Sequence, residues 1–243
     1  MPKLQAARSW QGILVALRSV QRYIFLQILS APIAKYEKHR LKVLWEYSVL
    51  DTVPEEIFDD LTELAARICE APIALITLVD KTRQWFKSKV GIDIKETSRD
   101  ISFCAHAIKQ PELFIIPDAT KDARFAHNPL VTSEPKVRFY AGAPLVSPDG
   151  YALGTLCVID KVPRQLRPHQ EQSLRILARH VMSQLELRRR ALELAEVNRS
   201  RERIQQDLKE ARSELADALA ELRRRDDKEK AAKRGVPSRR ARK

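Results

Sequence analysis

Three residue types in this chain could do chemistry: thiols, imidazoles and one cation beside a phenol. The thiols are Cys69, Cys104 and Cys157, far apart and odd in number. With no C-x-x-C pair, neither a disulfide scaffold nor a zinc ribbon is indicated, and a reducing cytoplasm fits best. Cys104 stands out because Ser102 can cap a helix beginning beside it, and a helix N-terminus lowers a thiol's pKa and raises its reactivity. His106 follows two residues later, but i,i+2 positions on a helix do not face each other, so a Cys-His dyad or shared metal site is not expected. Phe103, His106 and Ala107 would share one face, and Cys104 and Ile108 another. His106 reads as a hydrogen-bonded pocket histidine rather than a metal ligand. Cys157, among Thr155, Leu156, Val158 and Ile159, reads as inert strand packing, and Cys69 as a structural thiol at a helix end.

Arg138, Phe139 and Tyr140 alternate on a strand, placing Arg138 and Tyr140 on one face. A cation and a phenol facing one cavity suit an anionic or planar ligand. The competing reading pairs Arg138 with Asp118 or Asp100 to brace the fold. The expected ligand-binding set is therefore Phe103, Cys104, His106, Asp118, Arg138 and Tyr140. No catalytic or metal-binding residue is expected, no paired carboxylates are placed for acid–base work, and the cofactor is unknown.

These residues need elements to hold them. Residues 37–47 read as a charged helix with Leu41, Leu44 and Trp45 on its apolar side. In DTVPEEIFDDL, Asp51 or Thr52 can cap a second helix, and Ile57, Phe58, Leu61, Leu64, Ala65 and Ile68 recur at helical spacing up to Cys69. Ala74–Asp80 is a β-branched run of strand length. Gln84–Gly91 alternates as a hairpin partner with one face solvated, and Trp85 and Phe86 fall on opposite faces. Leu113–Asp118, Arg138–Val146 and Ala152–Asp160 are further strands, the last two joined by a turn at Ser147–Gly150. FAHNPLVTSEP is a polar loop of the kind that covers a site. Helices flanking an antiparallel-looking strand set indicate an α+β fold.

From about Pro168 the pattern is wholly helical. Leu174, Leu177, Val181 and Leu185 are followed by a falter near Arg188–Arg190. Leu194, Val197, Ile204, Leu208, Ala211, Leu215, Ala218 and Leu222 then resume at three and four, with Arg201 in an apolar slot. This is a heptad seam with a skip. About sixty such residues would extend roughly 90 Å, and a lone helix cannot bury its stripe. A homodimer through residues 174–222 is expected.

The net charge of +12 is unevenly spread. Residues 1–36 carry five cations and no anion, and residues 223–243 carry eleven cations and three anions. Taking these from the total leaves −1 for residues 37–222, so the basic character belongs to the ends and no specific nucleic-acid binding is expected. Residues 4–29 form an amphipathic pattern that suits weak membrane contact with anionic lipid, a loosely ordered leader or a partner-binding helix. Neither apolar run in it reaches the ~20 residues that span a bilayer. The expected organisation is a basic amphipathic extension (1–36), a globular domain (37–187), a coiled-coil helix (188–225) and a basic disordered tail (226–243). The expected location is cytoplasmic, with the extension as a membrane contact.

Seven blocks in order, LDTVPEEIFDDLTELAARI, APIALITLVDKTRQWFKSKVG, SFCAHAI, NPLV, RFYAGAPL, LGTLCVID and PRQL, resemble a GAF domain over residues 38–187. They resemble the bacterial subgroup found ahead of sensor histidine kinases and diguanylate cyclases. The resemblance implies a GAF-like central antiparallel sheet flanked by helices on both faces. Its first and last helices would pack on one side, with a ligand pocket on the other, roofed by loops around 99–135. It also implies a terminal helix continuing as a parallel signalling coiled coil, and a sensor kinase or cyclase as partner. The Asn-Lys-Phe-Asp-Glu pattern of cyclic-nucleotide-binding members is not visible, so cyclic GMP is not favoured. The Cys-His dipeptide that attaches bilins is interrupted by Ala105. No Gly-rich nucleotide-binding segment or GGDEF-like block follows residue 187. The reading that results is a sensor without catalytic activity, binding a small molecule or sensing redox state and signalling through a dimeric coiled coil. The alternatives are a thiol-dependent enzyme resembling the free methionine sulfoxide reductases, in which Cys157 is badly placed to resolve Cys104, and an adaptor binding a partner through the long helix.

Overall fold

The computed structural model describes residues 36–234, with side chains to residue 230. The expectations for residues 4–29 and for the end of the tail lie outside the described residues. The chain divides at residue 189 into two units.

In the first unit the runs read as strands do form strands. β1 (Ile73–Val79), β2 (Arg83–Val90), β3 (Glu96–Ser98), β4 (Phe114–Ile116), β5 (Phe139–Val146) and β6 (Ala152–Asp160) make one sheet in the order β3-β2-β1-β6-β5-β4. Every ladder is antiparallel. Because side chains alternate across a strand, the two faces support two separate cores. On one face Ala74, Ile76, Leu78, Phe139, Ala141, Leu156 and Val158 pack with Leu44, Phe58, Ala65, Leu174, Val181 and Leu185. Those last six come from α1 (residues 36–46), α2 (Glu56–Cys69) and the start of α5 (Pro168–Arg234). On the other face Leu75, Phe86, Tyr140 and Cys157 pack with Phe103, Cys104, Phe125 and Val131. This second cover is a 3-10 turn (Arg99–Ile101), two short helices, α3 (Cys104–Ala107) and α4 (Pro129–Thr132), and the loops between them. The α+β architecture with helices on both faces is as the sequence implies.

Local chemistry sets the element ends. α2 buries Phe58, Thr62, Ala65, Ala66 and Cys69, a stripe at helical spacing. It stops where Glu70 turns left-handed (φ 54°) and Ala71 N–H reaches back to the Ala66 carbonyl at 3.0 Å, just before Pro72. Its start differs from expectation. The residue before the first turn is Glu55, with no side-chain cap, and Thr52 donates instead to the Val49 carbonyl at 2.7 Å. Asn128 caps α4 by accepting the Leu130 N–H at 2.9 Å, so the proline-bearing loop carries a helical turn within it.

β2 also departs from expectation: neither of its faces is solvated at the centre. Lys87 is only 4% exposed, because the segment leading into α2 lies over it. Its ammonium donates to Glu55 at 2.6 Å, to Thr52 Oγ1 at 2.9 Å and to the Val53 carbonyl at 2.9 Å. Trp85 joins the helix-side core and Phe86 the opposite one.

Charged groups tie α1 into the domain. Arg40 is fully buried and holds Glu37 through two hydrogen bonds of 2.9 and 2.8 Å, while donating to the Val79 carbonyl at 2.7 Å. Arg99 reaches the same Glu37 at 2.6 Å and the Asp80 carbonyl at 3.0 Å. At the other end, Arg188 donates to Glu55 at 2.9 Å and to the carbonyls of Tyr47 and Ser48. The falter in the heptad rhythm therefore marks where the helix braces the domain. Leu174, Leu177, Val181 and Leu185 are all buried in the domain's own core.

The second unit is helical over residues 190–234, and every residue from 190 to 230 is exposed. Leu194, Val197, Ile204, Leu208, Leu215 and Leu222 are each about half exposed or more. No helix among the described residues is long and apolar enough to cross a membrane.

Candidate functional site

On the face away from the long helices, α3 sits over the centre of the sheet and points one thiol into it. The Ser102 hydroxyl accepts the Ala105 N–H at 3.0 Å, which sets the first turn of α3 as the sequence suggests. Ser102 also donates to the Gln84 side chain. Cys104, fully buried, then meets Cys157 of β6 with the two sulfurs 3.8 Å apart. Tyr140 of β5 donates its hydroxyl to the Cys104 sulfur at 3.2 Å. Thr77 and Thr155, with hydroxyls 3.1 Å apart, also hydrogen-bond with Cys104. Register places these groups together: Thr77 pairs with Thr155, and Cys157 with Gly142, two residues along the same face from Tyr140.

The electrostatics of the two thiols are opposed. Burial pushes the Cys104 thiol up, but hydrogen bonds from Cys157, Thr155, Thr77 and Tyr140 outweigh it and leave the thiol more acidic than usual. Burial and the neighbouring Cys104 both hold Cys157 protonated, well above the ordinary thiol range. Tyr140 is raised in the same way, by burial and then by the adjoining thiols. The acidity of Cys104 thus comes first from the Cys157 thiol and then from hydroxyl donors; α3 has only four residues and supplies little dipole. Cys69 is different: burial, with Arg164 opposing and Glu70 adding, takes it up to about 11.

A cavity of about 40 Å³ adjoins this cluster, lined by Phe103, Cys104, Tyr140, Gln84, Thr97 and apolar residues from β1, β2 and the 130–137 loop. That volume admits a few water-sized molecules, far below the 300–1,000 Å³ of drug-sized ligand sites. The Thr97 hydroxyl is buried and has no hydrogen-bond partner among the described residues.

Of the six residues singled out in the sequence, the structure brings Phe103, Cys104 and Tyr140 to this cavity. Phe103 stacks on Phe125 at 4.1 Å and lies 5.2 Å from Tyr140 between ring centres. His106 is half-buried with its ring edge on Phe125 at 4.9 Å. Burial, then the charges of Lys109 and Arg124, keep it less basic than usual. Asp118 accepts from Thr120 at 2.6 and 3.1 Å and pairs with Lys121 at 3.2 Å on the surface. Arg138 makes neither pairing expected of it. It donates to the carbonyls of Val131 and Val137 at 2.9 and 3.1 Å, closing the 131–138 loop, and it is absent from the cavity lining. The participants missed from sequence are Cys157, Thr77 and Thr155. The signal available was that Thr155 and Cys157 share one face of a strand. Among the described residues no group of three or more His, Cys, Asp or Glu is placed to hold a metal.

The family model for the GAF domain matches residues 53–185, more than half of the chain. This chain belongs to the GAF domain family. A cyclic di-GMP phosphodiesterase of Pseudomonas aeruginosa is 41% identical over 157 residues, which is 64% of this chain and 27% of that protein. The chain therefore spans about a quarter of the length of this curated relative. Among solved structures, the GAF domain region of a Geobacter sulfurreducens protein is 20% identical, covering 54% of this chain and 91% of that one with a TM-score of 0.45. The GAF domain of an Acinetobacter phosphoenolpyruvate-protein phosphotransferase is 17% identical, covering 62% and 92%, with a TM-score of 0.47.

GAF membership supports a sensory, ligand-binding role. The phosphodiesterase match overturns the expectation of a chain with no enzyme function. That expectation rested on the lack of recognisable nucleotide-binding or cyclase blocks after residue 187, a test that looks only for local motifs.

Proposed function

We propose that this GAF domain is the sensory module of a cyclic di-GMP phosphodiesterase system. In this reading its state sets the rate at which the phosphodiester bond of cyclic di-GMP is hydrolysed. The observation that carries it is the 41% identity over 157 residues with an enzyme of that name, an identity running through the region that builds the thiol cluster. The state sensed is the condition of the Cys104 cavity: a small guest or the oxidation level of its thiols. A cavity of about 40 Å³ favours these over a bulky organic ligand. The signal leaves through α5, which begins eight residues after β6 ends, and whose leucines from 194 to 222 suit pairing with a second copy. Leu174 to Leu185 serve the domain core instead, which confines the proposed dimer seam to the second unit.

The test replaces the aligned region of the Pseudomonas aeruginosa enzyme with residues 37–222 of this chain and follows hydrolysis of cyclic di-GMP. The full chain is assayed alongside. Hydrolysis in the chimera that changes at least several-fold when Tyr140→Phe or Cys104→Ser is introduced supports the reading. A chimera whose rate equals that of the enzyme with the region deleted, with or without those substitutions, overturns it.

A further inference from the structure

We infer that Cys104 and Cys157 form a peroxide-oxidised dithiol, closing to an intramolecular disulfide between the roof of the cavity and the central strand β6. This deepens the sensory reading above and rests on it for its biological meaning, though not for its chemistry.

Four observations converge. The two sulfurs already stand 3.8 Å apart, so a bond of about 2.05 Å requires a shift of under 2 Å, shared between the two side chains. One partner lies on a four-residue helix packed across β6, β5 and β1, and the other on β6 itself. The two thiols differ in the sense the chemistry needs: Cys104, with hydroxyl donors, is the more acidic and Cys157 the more basic. Finally, the adjoining cavity is lined by Cys104 itself and holds about 40 Å³, enough for a molecule with two heavy atoms. The unpartnered Thr97 hydroxyl on its wall gives such a guest a hydrogen bond.

The steps balance. The Cys104 thiolate attacks one oxygen of hydrogen peroxide. An S–O bond forms, the O–O bond breaks, and the departing hydroxide takes up the thiol's proton as water. The Cys157 sulfur then attacks the Cys104 sulfenic sulfur. The S–S bond forms, the S–O bond breaks, and hydroxide leaves with the Cys157 proton as a second water. Two thiols lose two electrons in all, and peroxide gains them. Because the resolving thiol lies against the first, the sulfenic acid is captured before further oxidation. Cys69, raised chiefly by burial and packed in the core on the opposite face of the sheet, stays reduced and serves as an internal control.

The decisive experiment treats the folded full chain with a few equivalents of hydrogen peroxide, blocks remaining thiols with a maleimide, and maps peptides by mass spectrometry without reductant. The expected result is loss of two of the three alkylatable thiols, a cross-linked pair of peptides containing residues 104 and 157, and full recovery with dithiothreitol. Cys157→Ser should leave a dimedone-reactive sulfenic acid at residue 104, Cys104→Ser should abolish the cross-link, and Cys69→Ser should leave it intact. Three free thiols after treatment, overoxidised Cys104 beside untouched Cys157, or a cross-link formed only after unfolding in urea would overturn the inference. The wild-type map alone decides if a serine variant does not fold. A disulfide that forms without altering hydrolysis in the chimera would sink the sensory reading and leave the dithiol chemistry standing.

Discussion

Tyr140 lays its phenol across the open backbone of Gly142, two residues on along the same face of β5, and this seat aims the hydroxyl at Cys104. A Cβ at position 142 would overlap the hydroxyl oxygen and the ring carbon bearing it. Gly142→Ala must displace the ring, and with it the donor at 3.2 Å from the Cys104 sulfur. The expected result is a loss of about 1–3 kcal/mol, typical of overpacking a filled core. The Cys104 thiol pKa should rise as well, since one donor to its anionic form is withdrawn. Denaturant unfolding reads the first and the pH dependence of iodoacetamide labelling the second. Unchanged labelling would show that the phenol does not tune this thiol.

Glu37 lies between two guanidiniums, and one of them, Arg40, has no exposure to solvent. Burial raises the Glu37 carboxyl, but hydrogen bonds from Arg40 and then Arg99 outweigh it and take the pKa down to about 2. A folded-state pKa below the unfolded one stabilises the fold above the ordinary glutamate range. That contribution is lost as pH falls from about 4.5 toward 2. Glu37→Gln should cost roughly 3–5 kcal/mol at neutral pH, since it leaves a buried guanidinium without its counter-charge. It should also flatten the acid limb of the stability curve. An acid limb as steep as the wild type's would mean that other carboxylates set it.

The parts of this molecule readable from sequence were those where neighbours along the chain decide the outcome. Apolar runs became β1, β5 and β6, and the Phe58–Cys69 stripe became α2. What escaped reading depends on partners distant in sequence. Arg40 and Glu37, three apart on a charged helix, look like a solvated pair; only the approach of β1 and the Arg99 turn buries them. Lys87 alternates with Phe86 and Ser88 as an exposed strand residue would, and nothing local says that the segment before α2 covers it. Cys157 looked like packing because strand periodicity states which face a residue takes, but not what descends upon that face. Arg138 escaped for another reason: its donors go to carbonyls only seven residues and one residue away, and the path of that proline-bearing loop, which no periodicity states, decides the contact.

Glu55 serves two cations at once, Lys87 at 2.6 Å and Arg188 at 2.9 Å. The Lys87 side chain is fully buried, whereas that of Arg188 is 19% exposed. Glu55→Gln should therefore destabilise far more than Arg188→Ala: roughly 3–5 kcal/mol against about 1 kcal/mol. Coupling in the double variant should be evident, because both cations share one carboxylate. Additive losses would mean that Glu55 acts on Lys87 alone. Burial raises Glu55, and the Lys87 and then Arg188 contacts outweigh it to leave its pKa lowered, so its stabilising effect too is lost on acidification.

Leu208, Leu215 and Leu222 repeat at intervals of seven and are 49%, 60% and 59% exposed in the single chain. A helix with such a stripe gains about 25 cal/mol for each Å² of apolar surface it removes from water, and a second copy offers a matching stripe at the same heights. In the proposed pair Arg201 would occupy one inward slot, a charge that would cost stability while limiting alternative registers. Substituting the three leucines with serine should shift the association equilibrium at least a hundredfold toward monomer in sedimentation equilibrium. The melting of residues 37–187 should stay nearly unchanged, because Leu174, Leu177, Val181 and Leu185 already belong to that core. Arg201→Leu should act in the opposite direction, tightening association. An undiminished dimer in the triple serine variant would remove this seam as the means of pairing, and with it the route proposed for the signal.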